Sequence, residues 1–393
     1  MSEVYAKRGV SAGKEEVHAA TKHLDRGLYP GAFCKILPDF AGGDPDYCSL
    51  MHADTAGTKT SLAYLYWRET GDLSVWDSVA EDAIVMNVDD MACVGLTTNI
   101  ALSSTLGRNA HLIPGEVIAR IVNATAAFAE RMRRLFGIEL LLAGGETADV
   151  GDIVRTIDVG ITAYGRLRRE HVVQLRPVPG DLIVGFSSAG QASYESTYNS
   201  GIGSNGLTGA RHDLLHHDYA KRYPESFDPN TELTYVYQGA NRVTDKLSVP
   251  GHGDIDLGKL LLSPTRSFLP LLHRSVKALG PELHGLVHNT GGAQSKATKF
   301  VRDLRLVKDR LLPLPPLFAY LAEQTPMSAQ ERYKVYNMGT RLEAYVPRHA
   351  ADKLLTIAAE LNIEAAVIGH IEEGVPGVSV TSHEGEHLWY PAA

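Results

Sequence analysis

The clearest pattern along the chain is an amphipathic stretch over residues 114–136. Its apolar residues lie three or four positions apart, Pro114 and Glu116 stand at its start, and Gly137 follows its end. This pattern predicts a helix over 114–136. Residues 83–94 show the same apolar spacing and predict a second helix.

Short apolar runs predict strands on either side of a linker. The runs cover residues 138–143, 152–167 and 181–186, and Gly144 and Gly145 are expected to end the first of them in a turn. Residues 166–180 are polar and basic and contain Pro177 and Pro179. We therefore expect a boundary between an N-terminal domain (1–168) and a C-terminal domain (169–393).

The second half continues the mixed pattern of helices and strands. Ser263 and Pro264 predict a helix start, and Pro270 is expected to bend that helix. Residues 283–288 predict a strand that leads through a glycine turn into a helix from Gln294 onward. Residues 219–258 are polar and interrupted by proline and glycine, so we interpret them as an inserted loop.

The composition is that of a globular protein. Of 393 residues, 44% are apolar and 21% are charged, which suits two domains with their own cores and argues against a disordered or collagen-like chain. No apolar run reaches the roughly 18 residues of a membrane helix, and residues 1–20 are polar. We expect a cytoplasmic protein with no membrane partner. The three cysteines lack metal-ligand spacing and predict buried free thiols.

The charge balance and the glycines narrow the class of ligand. A net charge of −8 argues against a nucleic-acid partner, but phosphate-bearing small molecules can still be held by local geometry. Glycine is abundant, with 37 residues. The places where glycine stands beside carboxylates and hydroxyls are the candidate sites.

The first candidate site covers residues 52–59. Asp54 could hold Mg²⁺, Gly57 could form a flexible turn, and Thr58 and Lys59 could meet the phosphates of a triphosphate. The alternative interpretation is a surface turn with a helix cap.

The next two candidate sites are rich in carboxylates. Asp89 and Asp90 are adjacent in the predicted helix and point about 100° apart, so they do not face one site easily; a solvated pair is the alternative. Glu146 and Asp149 follow Gly144 and Gly145 and would share one side if the turn continued helically.

The fourth candidate site lies in the second half of the chain. Glycine turns at residues 204–206 and 290–292 could form anion nests, and His288 could act as an acid or base, although a lone histidine is more often a core residue. The residues of these turns are Ser204, Asn205 and Gly206 in the first, and Thr290, Gly291 and Gly292 in the second. The P-loop and dinucleotide-binding motifs are absent from the sequence.

Taken in order, these motifs resemble the phosphoribosylformylglycinamidine cyclo-ligase family, also called aminoimidazole ribonucleotide synthetases. The family's Thr-Asp-Gly-Val-Gly-Thr-Lys is similar to residues 53–59, its Val-Asn-Asp-Leu to 88–91, and its Gly-Gly-Glu-Thr-Ala-Glu to 144–149. Further matches lie at 204–206, 262–266, 288–292 and 336–339. The resemblance spans nearly the whole chain.

The resemblance implies a fold, a reaction and a set of site residues. The reaction is ATP-dependent cyclisation of formylglycinamidine ribonucleotide, in which phosphorylation of the formyl oxygen precedes attack by the amidine nitrogen. The fold is a two-domain α/β (α+β) synthetase that forms a homodimer, with N-terminal strands in a shared β-barrel flanked by helices. By this resemblance Asp54, Asp90, Glu146 and Asp149 bind Mg²⁺, while Gly57, Thr58, Lys59, Gly144, Gly145, Ser204, Asn205, Thr290, Gly291 and Gly292 bind ATP or substrate phosphate. Asp54, Asp90 and His288 are the catalytic candidates.

Departures from the family pattern leave alternatives open. Gly203 stands where the family has histidine, and residues 189–203 contain an additional segment before Ser204. The chain is therefore a divergent member by this reading. One alternative is another ATP-dependent phosphotransferase of the superfamily, such as a selenophosphate synthetase-like enzyme; another is an inactive nucleotide-binding paralogue.

Overall fold

The fold consists of two main sheets with helices packed against them, which confirms the predicted mixed α/β class. The computed structural model describes residues 4–12 and 15–392. Positions 1–3 of the predicted N-terminal domain, positions 13 and 14, and position 393 of the predicted C-terminal domain lie outside the described residues. Within the described ranges, no helix is both long and apolar enough to cross a membrane.

The first sheet has five strands in the order β1-β2-β5-β3-β4. The strands are β1 (Ile36–Pro38), β2 (Tyr47–Thr55), β3 (Ile100–Arg108), β4 (Leu140–Asp149) and β5 (Ile157–Arg168). Among the described strands of this sheet, β3 and β4 pair in parallel and the other neighbours pair antiparallel. Along β5, Ile157, Val159, Ile161 and Ala163 alternate with more exposed residues and are buried, so one face of the sheet packs against helices.

The helices of the N-terminal half are α1 (Glu15–Thr21), α2 (Lys59–Thr70), α3 (Val75–Ala92) and α4 (Gly115–Phe136). The predicted helix over 114–136 is confirmed as α4, which ends at Gly137 in the left-handed conformation. Helix α3 begins eight residues earlier than the predicted helix over 83–94 and is buried around nearly its whole circumference. It lies between the first sheet and residues of the second half of the chain.

The second sheet has seven strands in the order β14-β13-β10-β12-β6-β11-β9. They are β6 (Leu182–Ser187), β9 (Gly285–His288), β10 (Arg305–Lys308), β11 (Thr340–Val346), β12 (Ala365–Glu372), β13 (Gly377–Thr381) and β14 (His387–Pro391). The first sheet ends at Arg168 and the second begins at Leu182. The division at 168/169 stays a prediction.

The helices of the second half are short. They are α5 (Leu207–Leu214), α6 (Asp218–Arg222), α7 (Leu257–Leu261), α8 (Leu269–Leu279), α9 (Pro316–Gln324), α10 (Ala329–Val335) and α11 (Ala351–Glu360). The predicted helix after Gln294 is a 3-10 helix over Ala293–Lys299. The predicted loop over 219–258 is wrong in part, because it contains most of α6 and a hairpin of β7 (Lys246–Val249) and β8 (Gly253–Asp256).

Two local predictions are wrong. Gly144 and Gly145 do not form a turn, since β4 continues through them to Asp149 and pairs with β3 around a register shift. Sheet pairing overrides the local glycine signal here. Helix α8 begins at Leu269 and not near Ser263, so Pro270 lies in its first turn, where proline breaks no hydrogen bond.

Candidate functional site

Asp89 and Asp90, adjacent near the end of α3, face different partners. Asp89 accepts hydrogen bonds from Ser267 Oγ at 2.8 Å and Phe268 N at 2.6 Å, whereas Asp90 Oδ1 is 2.8 Å from His288 Nδ1. Burial raises the pKa of Asp89 to about 7. The prediction that the two acids do not share one site is confirmed, and the alternative of a solvated pair is wrong.

Asp82, about two turns before Asp89 on α3, joins the two halves of the chain. Its Oδ2 lies 2.7 Å from Lys59 Nζ and accepts a hydrogen bond from Ser204 Oγ at 2.6 Å, while Oδ1 accepts one from Thr265 N at 2.6 Å. Lys59 Nζ also donates to the carbonyl of Ser263 at 2.6 Å. Burial lowers the pKa of Lys59, and the Asp82 carboxylate beside it opposes that shift. In this arrangement the ammonium group of Lys59, which was predicted to bind phosphate, is bonded to Asp82 and to the Ser263 carbonyl.

A chain of three side chains runs from α3 into the second sheet. His288 Nδ1 faces Asp90 Oδ1, and Arg341 Nε donates to His288 Nε2 at 3.1 Å. Since Nε2 must accept, we assign the proton of a neutral His288 to Nδ1. Burial lowers the pKa of His288 to about 4. With both ring nitrogens occupied, the geometry favours a structural link over movement of protons, so the role predicted for His288 as an acid or base stays a prediction.

Other polar residues surround this chain. His52 Nδ1 lies 2.9 Å from Asn87 Oδ1, and its Nε2 is 3.7 Å from Asp90 Oδ2. The buried thiol of Cys34 donates to the Asp90 carbonyl at 3.0 Å. All three cysteines are free and buried, as predicted.

A cavity of about 560 Å³ lies beside this centre. Five residues predicted to bind phosphate line it, and they come from three separate motifs: Thr58, Ser204, Asn205, Gly291 and Gly292. The N-terminal tract from Tyr5 to Ala12 forms another wall. The cavity therefore collects parts of the chain that are far apart in sequence.

The cavity wall crosses between the two halves of the chain and carries hydrogen-bond donors. Thr58 Oγ1 and Thr208 Oγ1 lie 2.9 Å apart, one before α2 and the other in the first turn of α5. Gly206, in the left-handed conformation, precedes α5 and also lines the cavity. The positive end of the α5 dipole thus opens here, which favours an anion. Thr290 accepts a hydrogen bond from Lys296 Nζ at 2.8 Å close by.

The four predicted magnesium ligands do not form a common cage within this chain. The sheet register places Asp54 in the row of Ile161, on the face that carries the helices, and Glu146 in the row of Gly160, on the opposite face. Asp149 pairs with Arg108 at 2.7 Å. Among the described residues, the one group of three or more His, Cys, Asp or Glu ligand atoms at metal-binding separation is His216, His217 and Asp218, and it includes none of these carboxylates.

The helical continuation that would place Glu146 and Asp149 on one side is not present. They lie in a strand, where residues three apart point to opposite faces. Gly144 and Gly145 line a smaller apolar cavity between β4 and α4. It is separate from the cavity at Asn205, and neither glycine lines the latter.

Sequence reasoning missed Asp82 and Arg341, and it gave no role to His52, which lies within the first candidate site. A signal for two of them was present: Asp82 lies between the apolar residues 79–80 and 83–86 of α3, and Arg341 directly precedes Leu342 in β11. A charged residue inside an apolar run is rarely buried unless it is paired.

Known proteins are similar to this chain both in its N-terminal domain and along most of its length. The family model of the AIR synthase related protein, N-terminal domain, matches residues 35–167, which contain the first sheet except for the last residue of β5. A phosphoribosylformylglycinamidine cyclo-ligase of Methanococcus maripaludis strain C6 is 28% identical over 331 residues, covering 84% of this chain and 79% of the relative. That of Methanococcoides burtonii is 28% identical over 381 residues, covering 94% and 96%.

Solved structures show the same fold at low identity. The structure of Thermotoga maritima PurL complexed with FGAR has a TM-score of 0.56 at 16% identity, and the match covers 97% of this chain and 50% of that one. The same protein complexed with AMPPCP gives a TM-score of 0.54 at 15% identity, covering 100% and 49%. This chain thus spans about half the length of PurL. Its N-terminal domain matches the AIR synthase related family model, and along nearly its whole length the chain is similar, at 28% identity, to phosphoribosylformylglycinamidine cyclo-ligases.

Proposed function

We propose that this protein is an ATP-dependent cyclo-ligase of purine biosynthesis that closes formylglycinamidine ribonucleotide to aminoimidazole ribonucleotide, releasing ADP and phosphate. The observation that carries the proposal is the cavity into which Thr58, Ser204, Asn205, Gly291 and Gly292 converge. The choice of reaction is supported by relatives named phosphoribosylformylglycinamidine cyclo-ligase, which this chain matches over most of their length. That the protein acts in the cytoplasm stays a prediction.

The cavity suits a phosphate-bearing ligand. Its volume of about 560 Å³ falls within the range of small-molecule sites, roughly 300–1,000 Å³. Hydroxyl groups, an amide side chain, glycine backbone and the N-terminus of α5 supply donors. ATP is the nucleotide we propose, and PurL, a protein of the same fold, has been solved with AMPPCP.

The proposed chemistry needs activation of a poor leaving group. Transfer of the γ-phosphoryl group to the formyl oxygen of the substrate gives an iminophosphate-like species, and attack by the amidine nitrogen on its carbon then expels phosphate. Catalysis of such a step depends mostly on positioning and on neutralising charge. The residues of this chain would hold the phosphates against the donor-rich wall and exclude water.

Magnesium remains a prediction of the sequence. Asp54, Asp90, Glu146 and Asp149 do not converge in one chain, so no step above is assigned to a metal ion. Omitting Mg²⁺ from the assay below tests the prediction directly.

We also propose that the protein forms a homodimer through the face of the first sheet that carries no helices. The register aligns Met51, Tyr164, Ala101 and Leu141 in one row across four strands on that face. Met51 is 59% exposed and Leu141 54%. An apolar row of this kind is typical of an association surface, and a second copy of the same row is its proposed occupant.

The experiment that tests the reaction supplies purified protein with ATP, Mg²⁺ and formylglycinamidine ribonucleotide and follows formation of the aminoimidazole product. We expect turnover by the unmodified protein and a loss of at least about a hundredfold in Asn205→Ala combined with Thr58→Val, which removes two donors from the cavity. Nucleotide binding without turnover would favour the inactive paralogue and contradict the proposal.

A further inference from the structure

Arg341 is fully buried and has no carboxylate partner in direct contact among the described residues. It is the additional residue of a bulge in β11, where the pairing with β6 shifts between Thr340 and Leu342. A bulge re-aims a side chain that would otherwise follow the strand alternation. Here it turns a guanidinium group toward α3 and the wall of the large cavity.

The guanidinium connects two parts of the site. Its Nε donates to His288 Nε2 at 3.1 Å, and His288 in turn bonds to Asp90 at 2.8 Å. Its Nη2 donates over 3.4 Å to Oδ1 of Asn205, which lines the cavity. One planar group therefore contacts the acidic helix on one side and the cavity wall on the other.

The orientation of Asn205 follows from this contact. An asparagine amide has one acceptor oxygen and one donor NH₂ group, and its orientation is assigned from its hydrogen bonds. Since Oδ1 faces Arg341, which can only donate, Nδ2 is left to face the cavity. The contact thus leaves the donor side of Asn205 for the cavity that this residue lines.

Arg341 also occupies the space that a side chain at position 203 would need. A Cβ added at Gly203 would overlap Nη1 of Arg341 and would lie 2.8 Å from its Cζ. Nη1 itself is buried and has no hydrogen-bond partner among the described residues. Gly203 stands where the family pattern has histidine. The Arg341 side chain therefore occupies the space that the absence of a side chain at Gly203 leaves open.

We propose that Arg341 is a positioning residue of the nucleotide site, which takes over the volume left by Gly203 and holds the amide of Asn205 with its donor side toward the ligand phosphates. The proposal rests on the proposed function for the identity of the ligand. The contact between Arg341 and Asn205 does not depend on it.

The first test needs no ligand. In protein labelled with ¹⁵N-asparagine, the side-chain amide signal of Asn205 is assigned by its loss in Asn205→Asp. We expect Arg341→Met, which keeps the length of the side chain but removes its donors, to move this signal and to speed its exchange with water by about tenfold. An unchanged signal would overturn the proposal.

The second test measures binding of AMPPCP by calorimetry. Arg341→Met and Asn205→Ala are each expected to weaken binding by about tenfold, and the double variant is expected to bind no more weakly than Asn205→Ala alone. Losses that add to about a hundredfold would show that Arg341 does not act through Asn205. Absence of binding by the unmodified protein would contradict the proposed function, and the amide signal would still decide the role of Arg341.

The third test addresses the shared volume. Gly203→Ala is expected to weaken AMPPCP binding about tenfold in the unmodified protein and to have little further effect in Arg341→Ala. Gly43 is a matched control, since it has the same φ of +67° and a Cβ there would meet nothing within 4 Å. Gly203→Ala binding as tightly as Gly43→Ala would refute the steric part.

Arg341→Lys guards against a failure to fold. It keeps the buried positive charge, but one ammonium cannot reach both His288 and Asn205 in the way that the planar guanidinium does. We expect it to show the same altered Asn205 signal with a native unfolding transition. A native signal in this variant would likewise overturn the proposal.

Discussion

At the scale of the single residue, Asp82 carries the junction between the two halves. Its carboxylate joins Lys59, Ser204 and the backbone of Thr265, and both Asp82 and Lys59 are fully buried. Removing one partner of a buried pair leaves an uncompensated charge. We expect Asp82→Asn to lower the free energy of unfolding by about 3 kcal/mol, measured by chemical denaturation at neutral pH.

The pair Asp77 and Arg120 is the control for this prediction. It also links α3 to another helix, but both side chains are partly exposed, and exposed pairs contribute less than about 1 kcal/mol. Asp77→Asn should therefore cost much less than Asp82→Asn. Equal effects of the two substitutions would show that burial of the Asp82 carboxylate does not govern stability at the junction.

A second prediction at this scale concerns His212. Its ring is buried beside Arg211 and Arg8, and its Nδ1 accepts a hydrogen bond from Tyr237 N. Burial, with a smaller contribution from the two arginines, holds the pKa of His212 well below its usual value. The unfolded chain binds this proton below about pH 6.5, whereas the folded chain does not until the pH reaches the lower folded pKa.

The sign of the effect follows from that difference. The stability contributed by neutral His212 is present above about pH 6.5 and is lost as the pH falls, by up to ~1.4 kcal/mol per pH unit. We expect His212→Asn, which keeps an acceptor, to lose less stability than the unmodified protein between pH 7.5 and 5.5. His111 is exposed, and His111→Asn should lose as much as the unmodified protein. Parallel losses in all three proteins would contradict this prediction.

At the scale of the element, sequence patterns predict a helix correctly where residues close in sequence determine its bounds. Helix α4 matches its prediction within one residue, because its apolar stripe and Gly137 are both local features. Strand β4 runs through Gly144 and Gly145 because β3 pairs with it there. The residues of β3 are far away in the sequence, so the local pattern around Gly144 does not reveal this pairing. The start of α8 was misplaced for a similar reason: Ser263 and Thr265 bond to Lys59 and Asp82 and do not begin a helix.

Gly145 tests this account of β4. A Cβ added there would overlap the carbonyl oxygen of Ser104 and lie 2.9 Å from its carbonyl carbon. We expect Gly145→Ala to lower the free energy of unfolding by about 2 kcal/mol, as overpacking does. At Gly115, in the first turn of α4, a Cβ would meet nothing within 4 Å. Gly115→Ala should be neutral or stabilising by about 0.5 kcal/mol. A nearly neutral effect of Gly145→Ala would instead indicate a turn at 144–145 and contradict the continuous strand.

At the scale of the whole molecule, the site depends on contacts that no motif encodes. The family resemblance predicts that Thr58, Asn205 and Gly291 bind ATP or substrate phosphate, and the cavity gathers all three. The carboxylates predicted to join them did not converge, since Asp54 and Glu146 lie on opposite faces of one sheet. Which face a strand residue takes depends on register, and register is set by the sheet as a whole.

That register also leads to the prediction about assembly. Met51 and Leu141 are on the uncovered face, so a carboxylate at position 141 should leave the folded chain intact but place charge in the proposed dimer interface. We expect sedimentation to give the mass of two chains for the unmodified protein and of one chain for Leu141→Glu. Val375 is 70% exposed in the turn between β12 and β13, and Val375→Glu should remain dimeric. A dimer that survives Leu141→Glu, or an unmodified protein that sediments as one chain, would show that this row of the sheet does not form the interface.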